Sequence, residues 1–240
     1  LPCLNEETSL AFVIQEIKKS IEENHLNAEI LVSDNGSTDN SRQIAIDNGA
    51  RVVVEEIKGY GSSLINGTRN TKGKYCIMGD SDGSYDFSNL KEFIEGLRNG
   101  YDLVIGNRFL GGIQKNAMPL SHKIGVKFLS ITANLFFHTP VRDFHCGLRG
   151  YNREKFLALN LNQTGMEYAS EMIIKASINN YSILEISILF FNMLLFCSSL
   201  FSSSLIEKMC WKVLRYFSKN PTFTICHHFI IKPTIIIQIQ

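Results

Sequence analysis

The 240-residue sequence has almost no net charge (+1), and it has no CxxC pair, no Walker lysine pattern and no uninterrupted membrane-length apolar run. Near-neutrality excludes both a polycation wrapped on nucleic acid and an acidic disordered chain, so no nucleic-acid partner is expected. The six cysteines lie far apart, which reads as reduced, intracellular thiols rather than a disulfide framework or a zinc cage. Gly59-Tyr-Gly-Ser-Ser-Leu64 lacks the third glycine of the dinucleotide fingerprint, which argues against a nicotinamide site. An initiating Met is also absent. The chain opens on Leu1-Pro2 as though a strand were already ending, so a cut first strand is expected.

What is present divides unevenly. Residues 1–182 hold 19 basic against 21 acidic side chains, whereas residues 183–240 hold five against two and are rich in Ile, Phe, Leu and Ser. Within the first part, Leu10, Val13, Ile14, Ile17 and Ile21 recur at helical spacing between Glu6 and Glu23. Apolar runs at 28–33, 51–54, 74–78 and 102–106 read as strands, and 60–70 and 87–97 as helices between them. Asp39 or Thr38 is placed to cap a helix running to Asn48. Alternation of this kind predicts an α/β domain with a parallel sheet flanked by helices. Ligands of such sheets bind beyond the carboxyl ends of the strands. Four polar clusters follow strands here: Asn5-Glu6, Asp34 to Asp39, Asp80 to Asp86 and Asn107-Arg108.

Asp80-Ser-Asp82-Gly83 is the sharpest of these. Two carboxylates two residues apart after a strand can share a hard divalent cation that also takes phosphate oxygens, and Gly83 allows the sharp turn. Asp34 could accept from a ribose hydroxyl or a base N–H, or could simply form an Asx turn. Together, Leu1-Pro-Cys-Leu-Asn-Glu-Glu7, Val32-Ser-Asp-Asn-Gly-Ser-Thr-Asp39 and Gly79-Asp-Ser-Asp-Gly83 resemble the nucleotide-sugar half of family 2 glycosyltransferases of the GT-A fold. Gly106-Asn-Arg108, Met118-Pro119, Arg142-Asp-Phe-His-Cys-Gly-Leu-Arg149 and Gly165 to Met172 are similar to the branch of dolichyl- or polyprenyl-phosphate mannose or glucose synthases.

The resemblance implies a Rossmann-like, mostly parallel sheet and assigns roles by position. Pro2, Asn5, Glu6, Asp34, Ser37 and Asp80 fall in the segments that hold the nucleotide sugar, a UDP- or GDP-hexose. Asp80 and Asp82 fall where Mg²⁺ or Mn²⁺ sits on the diphosphate, with Ser84 where relatives often carry Gln. Arg108, Asp143, Arg149 and Glu171 fall on the acceptor side. An acceptor phosphate suits guanidinium forks and needs no general base, whereas a hydroxyl would need Asp143 or Glu171. His122 and His145 stand isolated and are read as ordinary polar residues with no metal role.

Met118 to Phe137 has an apolar face with Lys123 and Lys127 on it, fitting either a membrane interface or the domain core. The expected organisation is a catalytic domain over 1–187 and an apolar, mildly basic tail over 188–240. That tail is either membrane-associated or aberrant; residues 183–206 are a weak candidate span, and 230–240 are β-like. The expected activity is inverting, metal-dependent transfer of a hexose from a nucleotide diphosphate sugar to a polyprenyl phosphate, at the cytoplasmic face of a membrane. Transfer to a carbohydrate or protein hydroxyl, and an inactive nucleotide-sugar-binding remnant, are the alternatives.

Overall fold

The computed structural model describes residues 2–114, 117–118, 120–137, 139–191 and 234–239. Most of the tail, with the part of the weak candidate span beyond Phe191, lies outside the described residues. β1 (Pro2–Cys3) is the short opening strand; four strands fall on the apolar runs, β2 (Ala28–Asp34), β3 (Arg51–Val54), β4 (Tyr75–Asp80) and β5 (Leu103–Asn107); and β7 (Ile183–Ser187) forms at the start of the weak candidate span. Between them come α1 (Leu10–Glu23), α2 (Ser41–Asp47), α3 (Tyr60–Asn70) and α4 (Leu90–Arg98), the last led in by a 3₁₀ turn at Phe87–Asn89. After β5 follow α5 (Arg108–Gly111), α6 (Leu120–Phe137), β6 (Arg149–Asn152), α7 (Arg153–Ala158) and α8 (Tyr168–Ile178), and β8 is formed by Thr234–Ile239.

The eight strands form one sheet. β6 and β8 run against their neighbours, and the other six share one direction. The expected sheet is therefore mostly parallel, with two reversed strands. β6 carries only four residues and no long apolar run, so no strand signal marks it. β8 lies between β2 and β4 and is antiparallel to both. It shares one edge of β2 with β1: β1 pairs at Ser33 and Asp34, and β8 pairs at Ala28 to Leu31.

Burial explains why the helices form where they do. Leu10, Val13, Ile14 and Ile17 of α1 are fully buried, as the three–four spacing requires. The helix begins at Leu10 rather than Glu6, because the Glu6 carbonyl accepts the N–H groups of Ser9 and Leu10 in a preceding turn. In the sheet, Leu31 and Val32, Ile77 and Met78, and Val104 and Ile105 are consecutive and fully buried. Successive strand side chains point to opposite faces, so both faces are covered.

The near-fingerprint at Gly59 has a structural explanation. A Cβ on Gly61 would collide with the Gln163 carbonyl, and the N–H groups of Gly61 and Ser62 donate to the Thr164 carbonyl (2.8 and 3.2 Å). The start of α3 is thus capped by protein, and the glycines admit a neighbouring loop.

Phe93 of α4 is fully buried and lies on the sheet beside Gly150. Phe93→Ala should cost about 3–5 kcal/mol of stability, read as a lowered denaturant midpoint at unchanged slope.

Candidate active site

The shared direction of β1, β2, β4, β5 and β7 brings their carboxyl ends, and the loops that follow, to one edge of the sheet. The first two loops are stitched together. Asn35 N–H donates to the Cys3 carbonyl (2.8 Å), Thr38 N–H donates to Asn5 Oδ1 (2.8 Å), and Asn5 N–H donates to Ser37 Oγ (3.0 Å). Glu6 N–H donates to Ser41 Oγ (2.8 Å), and the Glu6 carboxylate accepts from Ser9 Oγ (3.1 Å). Asn5 adopts φ +60°, one of few non-glycine residues in the left-handed region. Pro2, Asn5, Glu6, Asp34 and Ser37 are therefore one unit.

Asp34 is fully buried and accepts from Gly36 N–H (2.9 Å) and Ser37 N–H (3.2 Å), so the Asx turn does form. Arg42 adds an ion pair to the same carboxylate (2.6 Å). Sequence reasoning missed Arg42, which lies on α2 eight residues away with no motif to mark it. It also missed Asn35 and Lys58. The Asn35 amide donates to the carbonyls of Glu55 and Ile57 (3.0 and 2.8 Å), and Lys58 Nζ donates to the Asn35 carbonyl (2.6 Å).

At the end of β4, Asp80 is buried, and Gly83 turns the chain at φ +72°. Ser84 N–H donates to Asp82 Oδ1 (2.9 Å), which ties the second carboxylate into the turn, and Ser84 itself is buried. A Cβ on Gly147 would come within 2.7 Å of Asp80 Oδ2, so only a glycine leaves that carboxylate its place. Two hard-oxygen carboxylates on one glycine-relieved turn suit a divalent cation whose other ligands are diphosphate oxygens and water. Among the described residues no group of three His, Cys, Asp or Glu side chains gathers into a metal cage.

Arg108 and Asp143 meet each other. Nε and Nη2 of Arg108 donate to the two oxygens of Asp143 (both 2.7 Å), and Arg108 N–H donates to Oδ2 (3.1 Å). Both side chains are buried, and the guanidinium lies over the Phe190 ring at 5.2 Å. Glu185 of β7 accepts from the N–H groups of Arg142 and Asp143 (2.8 and 3.0 Å) and so fixes Asp143 from behind. Burial alone would raise the Asp143 carboxyl, but the adjacent guanidinium overrides it and holds the group below the usual carboxylate range. Burial pushes His145 down to about 4, reinforced by Arg108 and Arg149 against the opposing pull of Asp143, so the imidazole is neutral at pH 7.

Arg149 and Glu171, expected on the acceptor side, both have partners within the protein. Arg149 is fully buried and donates to the carbonyls of Cys146 (2.8 Å), Ala169 (2.7 Å) and Phe144 (2.9 Å). It anchors the 143–149 loop to α8 through main-chain acceptors, so its guanidinium is already committed within the protein. Glu171 accepts from Asn162 N–H (3.1 Å) and Gln163 N–H (3.0 Å) and pairs with Lys175 (2.8 Å), holding the loop that caps α3.

The family description "Glycosyl transferase family 2" matches residues 1–159. The chain belongs to this family. It is 36% identical over 187 residues to the low-salt glycan biosynthesis hexosyltransferase Agl6 of Haloferax volcanii, covering 77% of this chain and 45% of that one. It is 28% identical over 183 residues to the dolichyl-phosphate hexose transferase of the same organism, covering 76% and 77%. The chain spans about half the length of curated relatives such as Agl6 and the glycosyltransferase AglJ. Among solved structures, glucosyl-3-phosphoglycerate synthase from Mycobacterium tuberculosis in complex with Mn²⁺, UDP and glucosyl-3-phosphoglycerate superposes with a TM-score of 0.66 at 18% identity, covering 97% of this chain and 88% of that one. This family 2 chain has the GT-A fold.

Removing one partner of a buried ion pair strands the other charge. Asp143→Asn should cost about 3–5 kcal/mol at pH 7. Because the folded carboxyl titrates below its unfolded value, the pair's contribution is complete above about pH 4 and is lost as pH falls through the folded pKa. The gap between wild type and variant in urea melts should therefore close on acidification and stay constant from pH 5 to 7.

Proposed function

We propose that this chain transfers a hexose from a nucleotide diphosphate sugar to a polyprenyl phosphate, with inversion at the anomeric carbon. The stitched loops around Asn5, Glu6, Asp34 and Ser37 would take the nucleoside. Asp80 and Asp82, with Ser84 beside them, would hold Mg²⁺ or Mn²⁺, which when bound offsets the charge that develops on the departing diphosphate. The solved glucosyl-3-phosphoglycerate synthase complex with Mn²⁺ and UDP supports this reading for the shared fold.

The observation that carries the choice of acceptor is the state of the two candidate bases. A general base works best with a pKa near the operating pH. Asp143 is instead clamped by Arg108 and held below the usual range, and Glu171 caps a loop. Neither is arranged to take a proton from a hydroxyl. A phosphate monoester is already an anion and needs no base; the Arg108 fork is taken by Asp143, so that pair as a whole brings no net charge to the acceptor. The dolichyl-phosphate hexose transferase relative points to the same acceptor class.

The membrane part of the proposal rests on α6. Leu120, Ile124, Phe128, Ile131 and Leu135 repeat at spacings of three and four, and each is more than half exposed. Lys127 lies over the ring of Phe109, the residue next to Arg108, which supports reading the apolar stripe as a neighbour of the acceptor end. A helix with this face suits the headgroup boundary, at the cytoplasmic face of a membrane, where a lipid phosphate would enter. Among the described residues, no helix is long and apolar enough to cross a membrane.

Radiolabelled hexose from UDP-glucose or GDP-mannose should reach a polyprenyl phosphate in the presence of Mg²⁺ or Mn²⁺. Label appearing only in a carbohydrate or protein hydroxyl, or nucleotide binding with no transfer, would sink the proposal. Asp82→Ala should lower the rate by about 100-fold or more. Ser81→Ala should not, because the Ser81 hydroxyl is buried without a hydrogen-bond partner. The double substitution Ile124→Glu, Phe128→Glu should reduce co-flotation with anionic lipid vesicles; unchanged flotation would remove α6 from the account.

A further inference from the structure

Between the two carboxylates of the β4 turn and the Arg108–Asp143 pair lies one side chain that neither role uses. Tyr85 is buried, and its hydroxyl accepts the Gly147 N–H at 2.8 Å. Gly147 is the residue whose Cα backs onto the Asp80 carboxylate so closely that a methyl group there would sit 2.7 Å from Oδ2. On its other side the Tyr85 ring meets Phe190 edge-on, with centroids 5.3 Å apart, and Phe190 underlies the Arg108 guanidinium. The backbone of Tyr85 also bridges Phe190. One aromatic residue thus touches the wall of the carboxylate turn and the floor of the cation.

We propose that Tyr85 is a positioning residue for the Asp80 carboxylate, acting through the Gly147 N–H. This rests on the reading of Asp80 and Asp82 as divalent-cation ligands. The physical argument is one of fixed distance. The Asp80 carboxylate packs against the main chain at Gly147, so a shift of that glycine moves or crowds it. That chain lies in a loop between Asp143 and β6, and sheet pairing begins only at Arg149. Gly147 N–H is buried in the loop, and the Tyr85 hydroxyl is its acceptor. Without that oxygen the N–H has to find another acceptor or remain unsatisfied, and either outcome shifts the glycine against the carboxylate.

The test is Tyr85→Phe, which removes the oxygen and keeps the ring. Mn²⁺ titrated into the protein by electron paramagnetic resonance, with UDP and separately with GDP present, should bind about 10-fold more weakly than to wild type. Gly147→Ala should weaken Mn²⁺ in the same direction by pressing on Asp80 directly. Tyr151→Phe is the control. Its hydroxyl is equally buried and bonds Thr68 at 2.7 Å in the core, so its loss should lower thermal stability and leave Mn²⁺ affinity unchanged. Mn²⁺ affinity in Tyr85→Phe equal to wild type, or an equal loss in Tyr151→Phe, overturns the positioning role. If Tyr85→Phe does not fold, unchanged affinity in Gly147→Ala overturns it instead. A wild-type protein that binds no Mn²⁺ with either nucleotide overturns the cation-ligand reading itself, and the inference with it.

Discussion

The buried pair of Arg108 and Asp143 is the constraint around which the acceptor end is arranged. Desolvating two charges costs several kcal/mol per ion, and that cost is recovered only with good geometry and full hydrogen bonding. The surroundings supply both. Glu185 on β7 fixes the backbone that carries Asp143, Asn107 caps the turn after β5, and Phe190 lies beneath the guanidinium. Arg149, a second buried cation, is neutralised differently, through carbonyl dipoles of the same loop and of α8. The 143–149 segment is therefore pinned at both ends by guanidinium groups. Gly147 sits between them, against Asp80.

The nucleotide end follows another logic, that of main-chain donors finding side-chain acceptors. Asn5, Asp34, Asn35 and Ser37 are short polar residues that bond neighbouring backbone, which is why such residues favour turns. Asn5 and Ser37 do so across loops some thirty residues apart, which ties two strand ends together. Asp34 serves a turn, an ion pair and the site's shape together. That combination leaves its carboxylate little freedom to reorganise when a ligand arrives.

Much of this arrangement was legible in the sequence. The α1 face followed from spacing, and the strand-end clusters followed from short polar residues after apolar runs. Asp80 and Asp82 stood out because two carboxylates two residues apart after a strand can share a hard divalent cation. What stayed hidden had no local signature. β6 is four residues long and pairs antiparallel on both sides, so neither period nor length announces it. A motif carries residue type and not direction, so the partners of Arg149 and Glu171 could not be read from theirs. Their side chains turn into carbonyl and N–H groups that only tertiary contact brings near. Tyr85 and Arg42 were invisible for the same reason. Each acts on a partner distant in sequence or lying on a neighbouring helix.

β8 has a further consequence, for the order in which the molecule can assemble. Among the described residues, the sheet's hydrogen bonds join β1, β2 and β3 to β4, β6, β5 and β7 only through that strand. The nucleotide end belongs to the first group and the carboxylate turn to the second. Thr234 pairs beside Asp80, so sealing the seam requires a loop closure across more than half of the chain. Closures of that span are slow to find, even though their entropy grows only with the logarithm of length. Pairing between the two halves of the sheet therefore waits on a strand that carries none of the candidate site residues, while α1 against the 3₁₀ turn and α3 against α7 and α8 join the halves without it.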